Sequence, residues 1–408
     1  MPRPFVVAFA GTTPEVIRLV PVVLAARADP LSPIDVRLVV SGEQPDAADA
    51  ARDLGVTPDA ALRPSVTGDT TTMRVSTLVT AAGTWLEAGR PAAALVQGES
   101  STAVGAALAA GYARIPVAQL DTGRPARDRP RREPEETHRR ALAALSDLHL
   151  APTPTAADEL VREGHGRDSI VVTGSTAIDA LHLAVALRAP YPSADLDVID
   201  AGSCPVILVA ARGRASWGEP DCRIAAAVTR IAVAYPDVSI AYCLHPNPVA
   251  AAAMRDALDA VGNLVCVSPM PYGPFARLLA RADLVLTDSD GIQETVPSLG
   301  IPVLVLRDET DRMESVRSGV ARLVGTDPNR IFSAATGALR ERLSGTGPAR
   351  PNPYGDGYAA ARVVGALTWL LGLSTRPNEF VPPMLTRRGS LRRGSHRASL
   401  GSSRFRTR

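Results

Sequence analysis

The feature that most constrains this chain is an alternation that persists along most of its length. A short apolar run is followed by a turn and then by a helix-length amphipathic stretch, and the unit repeats. In the first half the apolar runs are FVVAFA, VRLVV, AALVQ, PVAQL, LHLAP and SIVVTG; in the second they are PVILVAA, VSIAYCL, NLVCV, DLVLTDS and PVLVL. Runs this short, separated by helix-length segments, predict strands of parallel α/β sheets. At 408 residues the chain exceeds what one hydrophobic core organises. The rhythm breaks between Ala189 and Gly202, a stretch with two prolines and a cluster of aspartates, before PVILVAA restarts it. The expectation is therefore two Rossmann-like, doubly wound domains facing a central cleft, residues 1–188 and 203–355. A last helix, residues 356–373, is expected to cross back onto the first domain, and residues 374–408 to form a tail.

Composition narrows the class. With 46% hydrophobic and 21% charged residues, and no uninterrupted apolar run of bilayer length, the chain reads as soluble and globular, with no membrane partner. The N-terminal MPRPFVVAFAG reads as one strand entering a glycine turn rather than a signal peptide, so a cytoplasmic location is expected. Four cysteines, at 204, 222, 243 and 266, match no CxxC metal or redox spacing; they are expected to be buried thiols, with no metal site. Lysine is absent, so all 44 basic residues are arginine. Net charge is +2, but Ser374 to Arg408 holds nine arginines and the single acid Glu379, leaving the body near −6. Such a Ser/Gly-rich basic segment reads as a disordered, solvated tail, the alternative being an arm for an anionic partner or for phosphorylation. Nothing in the acidic body suggests nucleic acid.

Three local patterns carry chemistry. The turn Gly11-Thr12-Thr13-Pro14-Glu15 follows a strand and opens a helix, where free N–H groups suit an anion. Many α/β proteins use the same turn only to reverse the chain. The second turn, Thr287-Asp288-Ser289-Asp290-Gly291-Ile292-Gln293-Glu294, also lies at a strand-to-helix junction. Ser289 and the N–H of Gly291 are placed to hold a diphosphate and Glu294 to accept from ribose hydroxyls, whereas Asp290 would repel a diphosphate unless turned away. An ordinary helix cap explains this turn equally well. Glu135 and Arg139 lie four apart at the start of EETHRRALAAL, on one helical face, either as a surface ion pair or as part of a site.

Taken in order, GTTPEVIRLVP, QGES, PEETHRR, VTGSTAIDAL, HPNP, LTDSDGIQE, PSLGIPVLVLRDETDR and NPYGDG resemble the motifs of the non-hydrolysing UDP-N-acetylglucosamine 2-epimerases. The resemblance covers about residues 5 to 372. It implies a GT-B-type fold, no nicotinamide cofactor, and interconversion of UDP-GlcNAc and UDP-ManNAc through elimination of UDP and its re-addition. Three carboxylates should then line the first-domain wall. They are Glu99, where the family has aspartate, Asp121, where it has glutamate, and Glu135; Arg139 also matches the catalytic pattern.

The cationic side departs further from the family. Its arginine in GTRPE is Thr13 here, the following lysine is Arg18, and the histidine of GHRRE aligns with Arg212, with Arg214 the next retained cation. Arginine does not exchange a proton near neutral pH, so Arg212 is expected to steady the leaving diphosphate rather than act as an acid. Phe275, Ser289, Gly291, Glu294 and Arg312 match positions that contact UDP. Thr295 stands for the second glutamate of QEE, Asp290 stands in the same turn, and His245 of HPNP also matches. A Gln-His pair at the family's activator site is Glu43-Gln44. Members are commonly homodimers, and the resemblance alone implies a dimer here. Three functional readings follow: an active 2-epimerase, a UDP-sugar-binding protein that has lost catalysis, and a GT-B glycosyltransferase, which the fold alone does not exclude.

Overall fold

The computed structural model describes residues 3–63, 70–123, 134–211, 218–259, 261–346 and 350–383. The first sheet contains β1 (Phe5–Ala10), β2 (Asp35–Val40), β3 (Ala60–Ala61), β4 (Ala93–Gln97), β5 (Val117–Leu120), β6 (Leu148–Ala151) and β7 (Ile170–Val172). Its order is β3-β2-β1-β4-β5-β6-β7, and its strand pairs are parallel. The second sheet contains β8 (Val206–Ala210), β9 (Ser239–Cys243), β10 (Leu264–Val267), β11 (Leu284–Thr287), β12 (Val303–Val305) and β13 (Ala321–Leu323). It runs β10-β9-β8-β11-β12-β13, again parallel. Strand order reverses beside β1 in one sheet and beside β8 in the other, and these are the switch points where α/β sheets bind ligands.

Helices α1 (Thr13–Ala28), α2 (Ala47–Asp53), α3 (Thr71–Gly89), α4 (Ser101–Tyr112), α5 (Pro134–Leu145), α6 (Pro154–Arg162) and α7 (Thr176–Leu187) accompany the first sheet. Between the sheets comes α8 (Ala194–Ala201). With the second sheet run α9 (Glu219–Ala234), α10 (Pro248–Leu258), α11 (Tyr272–Arg281), α12 (Asp290–Thr295), α13 (Met313–Arg317) and α14 (Pro328–Leu343), and α15 (Ala359–Leu370) ends the series. Strands covered by helices on both faces must be apolar on both, and Val6 to Ala10 and Val206 to Ala210 are buried without a break. All eleven apolar runs form strands. The two strands the pattern missed are β3, two alanines at a sheet edge, and β13, a three-residue strand with the charged Arg322 at its centre.

The chain crosses between the domains in two places. The stretch taken as a break in the rhythm contains a helix, α8, anchored by one cluster: Asp200 accepts from Tyr191 at 3.3 Å and from Arg277 of α11 at 2.6 Å. The Arg277 guanidinium also lies 4.2 Å over the Tyr191 ring. At the other end α15 packs on α1 and α7. Asp179 of α7 accepts from the backbone N–H groups of Ala359 (3.3 Å) and Ala360 (2.8 Å), capping α15 from outside the helix. The NPYGDG string makes this docking. Gly174 takes φ +85 beside it, and Ser175 N–H donates to the Tyr354 carbonyl at 2.8 Å.

Two expectations need correction. Ordered structure does not stop at Ser374: Phe380 is 3% exposed, packed with Ala156, Leu160 and Val172, and its N–H donates to Val172 O at 2.7 Å. Glu379 joins Arg167 (2.6 Å) and Arg376 (2.7 Å) beside it. The average composition of the tail concealed one apolar anchor and its ion pairs; residues 384–408 lie outside the described residues. The cysteines are all free, but only Cys243 is buried, Cys266 is half-buried, and Cys204 and Cys222 are exposed. Among the described residues no helix is long and apolar enough to cross a membrane. If residues 374–383 are part of the fold, Phe380→Ala should lower the unfolding free energy by about 3 kcal/mol in a urea titration; a loss under about 1 kcal/mol would contradict that role.

Candidate active site

The first turn is closed by its own side chains. Glu15 Oε2 accepts from Gly11 N–H at 2.7 Å and Thr12 N–H at 3.0 Å, Gln44 takes the Thr13 N–H at 2.9 Å, and Pro14 has none to give. The expectation of free donors for an anion at this turn is therefore wrong: its donors are spent on Glu15 and Gln44. Glu15 is 3% exposed, and a Cβ on Gly98 (φ +82) would come 2.8 Å from its Oε1, so only glycine leaves it room. Burial pushes its carboxyl up to about 7, against hydrogen bonds from Ser100, Gly11 and Thr12, with Glu43 adding to the rise. The next helix start is filled in the same way. Glu43 accepts from Thr102 N–H at 3.0 Å and from the Thr102 hydroxyl at 2.6 Å, placing a carboxylate on the N-terminus of α4.

These turns border a cleft of about 1430 Å³ lined by both domains. On its first-domain wall stand Glu99 after β4, Asp121 after β5 and Glu135 at the start of α5. Asp121 has φ +63, a conformation that turns its carboxylate to Arg18 Nε at 2.9 Å. Arg18 reaches on to Glu294 of the second domain, with Nη2 3.8 Å from Oε2. Glu294 is 1% exposed; Arg312 approaches the same oxygen at 3.3 Å, and the Ser175 hydroxyl donates to Oε1.

Glu135 and Arg139 do not pair. Arg139 is 7% exposed and meets Glu136 at 2.9 Å and Glu163 at 2.8 Å, while Glu135, one residue earlier and so about 100° around the helix, is exposed. The Arg139 hydrogen bonds hold the Glu136 carboxyl below its usual range, against the effect of burial. Arg139 thus borders the cleft with its charge directed into a structural cluster.

On the second domain, Ser289 and Gly291 face the cleft at the start of α12, and a Cβ on Gly291 would meet only Ser289 Oγ at 3.8 Å. Asp290 is turned to Arg307 at 3.2 Å, which offsets its charge beside this turn. Thr295 donates to its own helix at Gly291 O, 2.8 Å away, rather than into the cleft. Thr13, His245, Phe275 and Thr295 lie outside this cavity; His245 accepts from Asn247 N–H at 2.9 Å, and Phe275 packs against the core. Arg212 and Arg214 lie outside the described residues. Residues the sequence reading did not single out as contacts are Glu15, Arg74, His138, Arg307 and Glu314. Glu314 bridges the domains through Thr153 (3.3 Å) and Tyr354 (3.3 Å). Among the described residues no cluster of three or more side chains could hold a metal ion.

A family profile described as UDP-N-acetylglucosamine 2-epimerase matches residues 27–368 of this chain. The chain belongs to the UDP-N-acetylglucosamine 2-epimerase family. It is 35% identical over 370 residues to the UDP-N-acetylglucosamine 2-epimerase of Escherichia coli K12, covering 88% of this chain and 96% of the relative. With the Bacillus subtilis 168 enzyme of the same name it shares 34% over 377 residues, 91% and 97% of the two chains. Among solved structures, UDP-GlcNAc 2-epimerase from Neisseria meningitidis bound to UDP-GlcNAc superposes with a TM-score of 0.76 at 30% identity, covering 90% of this chain and 100% of that one. The two-domain architecture is thus the GT-B-like arrangement of the family.

Within this family member Glu15 is a buried carboxyl whose pKa rises from 4.5 to about 7 on folding. The folded state therefore binds the extra proton, so this group's contribution to stability is complete below about pH 4.5 and is lost as pH rises through 7. Glu15→Gln should remove that dependence, gaining about 2–3 kcal/mol on the wild type between pH 5 and pH 8 in denaturant titrations. Identical pH dependence in the two proteins would contradict the assignment.

Proposed function

We propose that this protein inverts C2 of UDP-N-acetylglucosamine to give UDP-N-acetylmannosamine, eliminating UDP across C1 and C2 and adding it back. A wall carboxylate takes the C2 proton, the C2–H electron pair becomes the C1–C2 double bond, and the C1–O bond breaks with its electrons leaving on UDP. In the return a protonated group on the opposite face gives a proton to C2 as a diphosphate oxygen closes on C1. Glu99, Asp121 and Glu135 supply the acid/base groups, and the leaving diphosphate needs cations and N–H donors.

The observation that supports this reading best is that Glu99, Asp121 and Glu135 line one wall of the cleft while the Ser289–Gly291 turn lines the other. At the starts of α1 and α4 the backbone donors are taken up by Glu15 and Glu43, so neither of these turns offers an anion site. Across the cleft the Ser289–Gly291 turn lies with Arg307, Arg312 and Arg317, which suit a diphosphate, although Asp290, Glu294, Asp308, Glu309, Asp311 and Glu314 line the same side. Arg18 reaches from the first domain towards the same side, and Glu294 is placed for the ribose once it exchanges its present partners. The sequence reading adds finer expectations: a cytoplasmic location from the N-terminal strand and, from the family resemblance, a homodimer working in an amino-sugar antibiotic or cell-envelope pathway, with Arg212 and Arg214 as further cations.

Incubated with UDP-GlcNAc and no added metal or nicotinamide, the protein should form UDP-ManNAc, detected by NMR. Intact substrate, or free UDP with a transferred or released sugar, would contradict the proposal. Glu135→Gln keeps the size and removes the charge, so turnover should fall by on the order of a hundredfold while calorimetric UDP affinity changes little. Unchanged turnover would remove Glu135 from the acid/base set.

A further inference from the structure

His138 is the only imidazole among the described residues lining the cleft, and it is 9% exposed. It stands on α5 nearly one turn after Glu135. Its Nδ1 lies 2.8 Å from the backbone carbonyl oxygen of Glu99. A carbonyl only accepts, so Nδ1 carries the proton in this contact, and it does so both in the neutral Nδ1–H tautomer and in the imidazolium. The donor is therefore present whichever of these two states the ring adopts.

The bond joins two segments that carry different carboxylates. Glu99 sits in the β4–α4 turn between Gly98, at φ +82, and Ser100, whose Oγ accepts from Ala103 N–H at 3.1 Å. Because Glu99 precedes the helix cap, its carbonyl is not part of the α4 hydrogen-bond ladder. On the other side α5 is held firmly. Arg139, adjacent to His138, is clamped by Glu136 at 2.9 Å on its own helix and by Glu163, at the end of α6, at 2.8 Å. The imidazole thus reaches from an anchored helix to the one peptide that presents Glu99.

Building on the epimerase reading above, we propose that His138 is a positioning residue for the C2 chemistry: its Nδ1–H holds the Glu99 peptide and so sets the spacing of the Glu99 and Glu135 carboxylates along the wall. A pair of acid/base groups serving one carbon is sensitive to displacements of about an ångström, which cost on the order of a hundredfold in rate. Nothing in this role requires His138 to move a proton. A side chain that donates from the Nδ1 position and lacks Nε2 should therefore replace it.

The test uses the full-length protein and the variants His138→Asn, His138→Gln and His138→Ala, each checked for an unchanged thermal transition and UDP affinity. The Asn amide nitrogen takes the place of Nδ1, whereas the Gln amide reaches the Nε2 position. His138→Asn should keep kcat within about threefold, with the wild-type shape of the pH profile, while Gln and Ala lose about ten- to a hundredfold in kcat with little change in KM. A His138→Asn variant as impaired as Ala, or one that loses a limb of the pH profile, would show that the imidazole itself moves protons and overturn the positioning role. Wild-type kcat in all three would overturn it as well. Should the wild type bind UDP yet form no UDP-ManNAc, the epimerase reading fails by itself, and the imidazole nitrogen-15 spectrum still decides the tether: a protonated Nδ1 in the wild type supports it, an Nε2–H tautomer overturns it.

Discussion

A carboxylate with 1% of its surface exposed cannot stay charged without partners, and Glu294 finds them on both domains. Arg312 approaches from its own domain, Arg18 and the Ser175 hydroxyl from the other. Two arginines around one carboxylate leave a net positive charge at the junction, and Asp121 balances it through Arg18. The same residue also fixes the backbone connection, since the Asn352 amide donates to the Glu294 carbonyl at 2.7 Å and Asn352 Oδ1 orders Tyr354. Tyr354 then offers its own carbonyl to Ser175. One residue therefore links the switch-point turn of the second sheet, the α7 start of the first domain and the chain that leads into α15.

That junction shapes the chemistry the cleft can support. Arg18 is already shared between Asp121 and Glu294, so a ligand entering here exchanges ion pairs instead of filling an empty charged pocket. Such exchange costs less than burying a new charge, because the partners and their geometry exist beforehand. Glu15 and Glu43 answer the donors of α1 and α4, so these two helix starts are closed to a diphosphate, while Ser289 and Gly291 border the cleft at the turn after β11.

Much of the fold was legible in the sequence because its signal is local. Every long apolar run became a strand, and only β3 and β13, too short or too charged to stand out, escaped. The α8 helix and the Phe380 anchor were hidden for the opposite reason, since each depends on partners distant in sequence, Arg277 in one case and Val172 in the other. The site shows the same division. Motif order pointed to Glu99, Asp121, Glu135, Ser289, Gly291, Glu294 and Arg312, which line the cleft, but not to what each touches. Arg139 was expected on the face of Glu135, yet its second carboxylate, Glu163, comes from another helix, and no helical periodicity reports that contact. Glu15 was quoted as part of a turn and read as helix grammar; its burial arises from Gly98 and Ser100, which fold over it from β4 and its following turn.

The central claim, that the carboxylate-lined cleft breaks and remakes the C2–H bond, is tested most directly by solvent isotope exchange. UDP-GlcNAc incubated with the protein in D2O should yield UDP-ManNAc carrying deuterium at C2, and with time the recovered UDP-GlcNAc should carry it too. Retention of the C2 proton in every species, by a protein that demonstrably binds UDP, would contradict the account.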